Sequence, residues 1–193
     1  MVAITGATGV IYGIRLLEQL RGRPPIETHL VISEPGKRTI VEETDYTVKD
    51  VEALAHHRYD NKDIGAALAS GTFRTSGMVI APCSIKTASA VAYCRSDNLI
   101  ARAADVTLKE GRPLVMLVRE APLHVGHLKC MLALAEMGAI LLPPVPAFYH
   151  RPKDVEDIIL HTIARALDRL GVPLDLPEWP GTHPRPGGGT PRA

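Results

Sequence analysis

The stretch "TGATG", Thr5 to Gly9, lies between a short apolar run, Val2–Thr5, and an apolar helical face from Ile14 to Leu20. Gly6, Gly9 and Gly13 punctuate it. A strand–turn–helix of this kind leaves unpaired N–H groups at the helix N-terminus, where about half a positive charge gathers. The chemistry on offer is anion binding. A second stretch, "PCSIKTASA", offers the same. Pro82 ends a buried run, Ser84 is placed to cap the next helix, and Lys86 and Thr87 add a cation and a hydroxyl. Two helix N-termini facing one cleft suit a monophosphate and the polar edge of its base. An ordinary N-cap, and glycines used only for close packing, are the plainer readings of the same letters.

The glycine spacing argues against two common nucleotide turns. A dinucleotide fingerprint needs G-x-G-x-x-G. The short-chain dehydrogenase pattern T-G-x-x-G-x-x-G puts its third glycine where Tyr12 stands, and Gly13 comes one residue late. "YHRPK", Tyr149 to Lys153, supplies the letters of that family's Tyr-x-x-x-Lys pair. Pro152, however, removes an N–H and disfavours helical geometry for Arg151, so the two side chains do not share a helix face. Other charged groups have ordinary surface explanations when taken singly. Arg102 and Lys109 share one predicted helix face, Arg165 lies in an apolar helix that its stem can cover, and Glu43 has Glu42 beside it. Glu120 stands just past a predicted strand end, between Arg119 and "AP". His124 and His127 have helical metal-ligand spacing but no third ligand cluster. His56 and His57 read as surface, and Cys83 as a small apolar core residue.

To position these groups the chain alternates short apolar runs with helical patterns. Strands are expected at Val2–Thr5, Glu27–Ser33, Met78–Pro82, Pro113–Arg119 and Ala139–Leu142. Helices are expected at Ile11–Leu20, Gly36–Glu43, Val48–Ala55, Ile85–Tyr93, Leu99–Glu110, His127–Met137 and Val155–Leu170. Asp154 is placed to cap the last helix and Gly171 to end it. This order predicts an α/β fold: a three-layer, Rossmann-like or flavodoxin-like sandwich around a mostly parallel sheet. Ligands of such a sheet sit at the carboxyl ends of its strands. "TGATG", "ISEPGK", "APCSIKTAS" and "VREAPLH" all fall at such ends.

The chain has 193 residues, 46% of them hydrophobic, which is enough for one domain with a proper core. One domain is expected over 1–178, with "GTHPRPGGGTPRA" closing a largely disordered tail at 179–193. A net charge of +1 gives no reason to expect bulk nucleic-acid or anionic-membrane binding. No apolar run approaches the ~20 residues of a membrane span. With no basic leader and three scattered cysteines, a cytoplasmic setting is expected. Aromatics are 4%, so a flat cofactor would be held mostly by backbone and aliphatic contacts.

"TGATGVIYGIRLL", "THLVIS", "EETD", "MVIAPCSIKTASA", "ARAADVTLKEGRPLVMLVREAPLHVGHL" and "PPVPAFYHRP" together resemble the UbiX-type flavin prenyltransferases, in order from Ile4 to about Trp179. The Arg-Glu-Ala-Pro and Pro-Ala-Phe-Tyr-His stretches are the specific ones. The resemblance implies a metal-independent enzyme, assembled as a dodecamer with active sites between subunits. It would join the dimethylallyl group of dimethylallyl phosphate to N5 and C6 of reduced FMN. The product would pass to a UbiD-type decarboxylase. Position by position, Gly6, Ala7 and Thr8 would hold the FMN phosphate region, and Ser33, Ser84, Ile85, Lys86 and Thr87 the rest of the flavin site, with Arg119 against the flavin. Tyr149 and Arg165 would bind the prenyl phosphate, Lys109 and Arg102 would add positive charge, and Trp179 would stand near the substrate pocket. Glu120 and Glu43 match the acidic residues near the reacting atoms.

Those residue types suit the chemistry. Breaking the C–O bond of an allylic phosphate leaves a phosphate dianion and a carbocation-like prenyl group. Without a metal, Lys, Arg and a Tyr hydroxyl must stabilise the departing charge, and a carboxylic acid helps a poor leaving group go. Thr8 stands where the family has Ser, Glu34–Pro35 where Lys-Ala is common, and Gly111 where an Arg is common. The first and the last are shared with the accessory subunits of phenolic-acid decarboxylases, so both ubiquinone biosynthesis and aromatic-acid decarboxylation stay open as the pathway. Two rivals remain: an FMN-dependent cysteine decarboxylase, and a non-catalytic flavin-carrying subunit. The first wants a Pro-Ala-Ser-Ala-Asn stretch and a catalytic His after the first helix. "PCSIKT" lacks the Asn, and between Glu18 and Lys49 only His29, inside a predicted strand, is available.

Overall fold

A computed structural model describes residues 1–174. Six strands form one sheet: β1 (Val2–Ile4), β2 (His29–Ile32), β3 (His57–Asp60), β4 (Met78–Cys83), β5 (Leu114–Val118) and β6 (Ile140–Leu141). Their order is β3-β2-β1-β4-β5-β6 and every pairing is parallel, with Val2 beside both Leu30 and Val79. The helices are α1 (Val10–Leu20), α2 (Glu34–Glu43), α3 (Val48–Glu52), α4 (Ile85–Ala92), α5 (Leu99–Lys109), α6 (Val125–Glu136) and α7 (Val155–Asp168).

Alternation along each central strand feeds two separate cores. Ile4, Leu30, Ile32, Val79, Val115 and Leu117 point to the side covered by α1 and α7. Ala3, Val31, Met78, Ile80, Leu114 and Met116 point to the side of α4, α5 and α6. Strands buried on both faces read as unbroken apolar runs, which is why β1, β2, β4 and β5 are visible in the sequence. The expected strand at 139–142 is reduced to Ile140–Leu141.

Strand β3 is the departure from expectation. "HRYD" is polar, three of its four residues are exposed, and it pairs only with β2 at the sheet edge. An edge strand gives no apolar signal, and polar side chains there discourage pairing with another chain. His57, expected as plain surface, is therefore part of the sheet. Helix α3 ends at Glu52 rather than Ala55; its start is set by a capping box between Thr47 and Asp50. Asp154 caps α7 as expected, accepting from Asp157 N at 2.9 Å. Gly171 takes a φ of +71° just beyond it.

Gly13 serves packing. A Cβ there would run into the carbonyl oxygen of Ala81 and come within 2.7 Å of Ile4 Cγ1, so glycine lets α1 lie directly on β1 and β4. Gly13→Ala should therefore lower stability: overpacking costs about 1–3 kcal/mol and outweighs the ~1 kcal/mol by which alanine favours a helix. Urea denaturation showing a variant as stable as the parent would contradict this.

Candidate active site

The chain order reverses between β1 and β4, the place where an open parallel sheet leaves a crevice beyond its carboxyl ends. There the buried Thr5, 1% exposed, follows β1. Its Oγ1 donates to Pro82 O at 2.8 Å and accepts from Ser84 N at 2.8 Å, and its own N–H reaches Pro82 O at 3.3 Å. On either side, Ser33 N donates to Ile4 O and Arg119 N to Cys83 O, each at 3.0 Å. Four strand ends are thus stitched into one crest. It places Gly6–Gly9, Ser33, Ser84–Thr87 and Arg119–Glu120 side by side.

Each helix leaving the crest presents its N-terminus there. Ser33 Oγ accepts from Gly36 N at 3.1 Å, and Ser84 Oγ accepts from Thr87 N at 3.3 Å. The first-turn N–H groups of Ile85 and Lys86 have no partner within their helix. Gly9, with φ +93°, opens α1, and its N–H donates to Glu43 Oε2 at 2.8 Å, with Val10 N–H at 3.4 Å. A carboxylate already occupying these donors shows what they accept: an oxyanion. Gly6 packs so closely on Pro35 that a Cβ would collide with it. This donor set, with the Thr87 hydroxyl and the exposed Lys86, fits the phosphate and polar ring edge of a flavin mononucleotide. Glu120 is half-buried, and its Oε1 accepts from Ala121 N at 3.1 Å.

The expected cations are elsewhere in the same chain. Lys109 ends α5 just before β5 begins, so it lies at the amino edge of the sheet, where its Nζ pairs with Glu110 at 2.6 Å. Arg102, further back on α5, is held by Asp105 at 2.9 Å and by Ala69 O at 3.3 Å. In the loop before α7, the Tyr149 hydroxyl meets His161 Nε2 of that helix at 2.8 Å, and exposed Arg165 is one turn further along α7. One chain therefore does not bring Lys109 to the crest. Trp179 lies outside the described residues.

Other sequence candidates resolve differently. His124 caps α6, accepting from Gly126 N at 3.0 Å, which gives it a structural role. Burial pushes the Cys83 thiol well above its usual value, as expected of a packed cysteine. Sequence reasoning missed Thr5, since a threonine at a strand end carries no signal of its cross-strand bonds. It also missed His161.

Thr5→Val keeps the shape and removes the hydroxyl. It leaves the half-buried Ser84 N–H without its acceptor and should cost about 1–3 kcal/mol of stability; an unchanged denaturation midpoint would contradict the bridging role. His161 is held below its usual 6.5 by burial, then by His150 and Arg165. A lowered histidine pKa means that the folded state resists protonation, so its stabilising share is present above pH 6.5 and is lost as pH falls below it. His161→Gln should flatten the loss of melting temperature between pH 7 and 5. A slope as steep as the parent's would remove His161 from the account.

The flavoprotein family pattern matches residues 1–166. Flavin prenyltransferase UbiX of Escherichia coli strain K12 is 52% identical over 184 residues, covering 94% of this chain and 97% of the relative. UbiX of Archaeoglobus fulgidus is 54% identical over 179 residues, covering 93% and 98%. Among solved structures, a dodecameric FMN-dependent UbiX-like decarboxylase from Escherichia coli O157:H7 superposes with a TM-score of 0.88 at 48% identity, covering 94% of this chain and all of the other. AnUbiX in complex with FMN and dimethylallyl pyrophosphate gives 0.86 at 44%, covering 92% and 96%. The peptidyl-cysteine decarboxylase EpiD, 16% identical with a TM-score of 0.60, shares the fold alone. Over nearly its whole described length, then, this chain belongs to the flavoprotein family and, within it, to the UbiX flavin prenyltransferases.

Proposed function

We propose that the chain transfers the dimethylallyl group of dimethylallyl phosphate to N5 and C6 of reduced FMN, supplying prenylated FMN to a UbiD-type decarboxylase. The observation that carries this is the crest itself. It sets three helix N-termini and a strand-end Arg-Glu pair around the β1–β4 crevice, as an anionic flavin and a proton-requiring leaving group demand. FMN, when bound there, supplies the nucleophilic ring positions. Gly6–Thr8, Ser33 and Ser84–Thr87 would bind and orient it, and Arg119 would stand against the flavin.

Glu120 would give a proton to the phosphate oxygen as the C–O bond to the prenyl group breaks. The protons displaced from N5 and C6 would pass to the crest carboxylates, Glu120 and Glu43, the latter fixed on the α1 N-terminus. One of them would restore Glu120 and the other would go to the prenyl double bond. Lys109, Arg102, Arg165 and the Tyr149 hydroxyl stabilise the phosphate dianion. Because one chain keeps Lys109 at the amino edge of the sheet, a neighbouring copy would supply it. Two observations support such an assembly. A relative of the same fold is dodecameric. In addition, α6 presents Val125, Leu128 and Leu132 to solvent at 66%, 51% and 59% exposure, with Val145 and Phe148 also bare. Trp179 belongs to the same substrate pocket in this proposal. No helix among the described residues is long and apolar enough to cross a membrane, and the three free cysteines suit a cytoplasmic setting.

Purified protein mixed anaerobically with reduced FMN and dimethylallyl phosphate should yield flavin heavier by one prenyl unit, with the diphosphate as the parallel donor. Flavin left unchanged by both donors would favour a flavin-carrying subunit instead. Glu120→Gln should slow the transfer by about 10²–10⁴-fold and leave FMN bound; loss of FMN would make Glu120 structural.

A further inference from the structure

Strand alternation sets Glu27 and His29 on one face where the chain enters β2, because residues two apart in an extended segment point the same way. The parallel register then places His57 of β3 directly beside His29, and Tyr59 beside Val31 on the same face. The two imidazoles stack at 4.6 Å, 14° from parallel. His57 Nε2 lies 3.5 Å from Glu27 Oε2. One nitrogen from each histidine and a Glu27 oxygen all fall within 4.8 Å of one another. His56, one residue back, turns to the other side and bonds Thr28 Oγ1 at 2.9 Å, so it stays out of the group.

We propose that Glu27, His29 and His57 form a binding site for a borderline divalent cation of the zinc class at the amino edge of the sheet. Two imidazoles and one carboxylate are a donor set for such an ion. Ligands about 2.1 Å from zinc in tetrahedral array stand ~3.4 Å apart. To reach that spacing from 4.8 Å the exposed His57 and Glu27 side chains close on His29 by up to about 1.4 Å, and the His57 ring turns out of its stack so that the two in-plane lone pairs converge on the ion. The Tyr59 hydroxyl meets His29 Nδ1 at 3.0 Å and the Phe73 ring edges onto it at 5.2 Å, which fixes the imidazole as outer partners of metal-binding histidines do. All three ligands line a cavity of about 910 Å³ that also includes Leu20, Phe73 and Leu170. A fourth position is thus left at its mouth for water or a small donor ligand. The site stands across the sheet from the crest, and the group transfer makes no use of it.

The test is isothermal titration of the untagged full-length protein with zinc chloride, followed by cobalt(II) absorption to read the ligand set. One ion per chain is expected. His57→Ala and Glu27→Gln, both at exposed positions, should each weaken binding at least ~10-fold and Tyr59→Phe about 10-fold, with the melting temperature in metal-free buffer showing that each variant is folded. His124→Ala, at the other histidine pair, should bind as the parent does. Absence of zinc binding in the parent, undiminished binding in His57→Ala, or loss on His124→Ala would overturn the site.

Discussion

The hydroxyl of Thr5 joins the two halves of the sheet just where their chain order diverges, donating to Pro82 O and accepting from Ser84 N above the last ladder bonds of β1 and β4. Everything at the crest is referred to that junction. It fixes the height of Ser84 and hence of the α4 N-terminus, and it sets the turn that begins at Gly6 beside it. Ser33 and Arg119 attach to the same line through backbone bonds to Ile4 and Cys83. Because these are backbone positions in a buried sheet, the donors are arranged before any ligand arrives, which is the condition under which electrostatic stabilisation is strongest.

The crest alone is half of a catalytic arrangement. It offers backbone donors for an anion and carries the carboxyl groups of Glu120 and Glu43, while Lys109 lies at the far edge and the Tyr149 hydroxyl meets His161 of α7. The uncovered apolar face of α6 says that a further surface is missing from the single chain; exposed patches of that kind mark contacts with other chains. Assembly would then do two things at once, burying this face and carrying cations to a carboxylate-rich crevice.

Much of this was readable from letters alone. Doubly buried strands advertise themselves, and so do caps such as Ser84 and Asp154, so the alignment of the glycine turn with "PCSIKT" and "VREAP" followed from topology. Lys109 precedes a predicted strand, and a helix that feeds a parallel strand must end at the amino edge; its separation from Glu120 was therefore implicit. β3 was not legible, since a polar edge strand has no periodic apolar signal. Without its register the His29–His57 pair had no meaning: His29 was one residue of a predicted strand and His57 looked like surface. Thr5, likewise, gains its role only from a neighbour 77 residues away.

Co-expression of Lys109→Ala with Glu120→Gln tests the division of labour most directly, each variant being nearly inactive by itself. If the two residues serve one site from different copies, mixed assemblies contain some sites with both groups intact, and prenyl transfer returns to a measurable fraction of the parental rate. If mixed assemblies, shown by mass to contain both chains, stay as inactive as either variant, Lys109 and Glu120 do not act across subunits and the account of the crest as a shared active site fails.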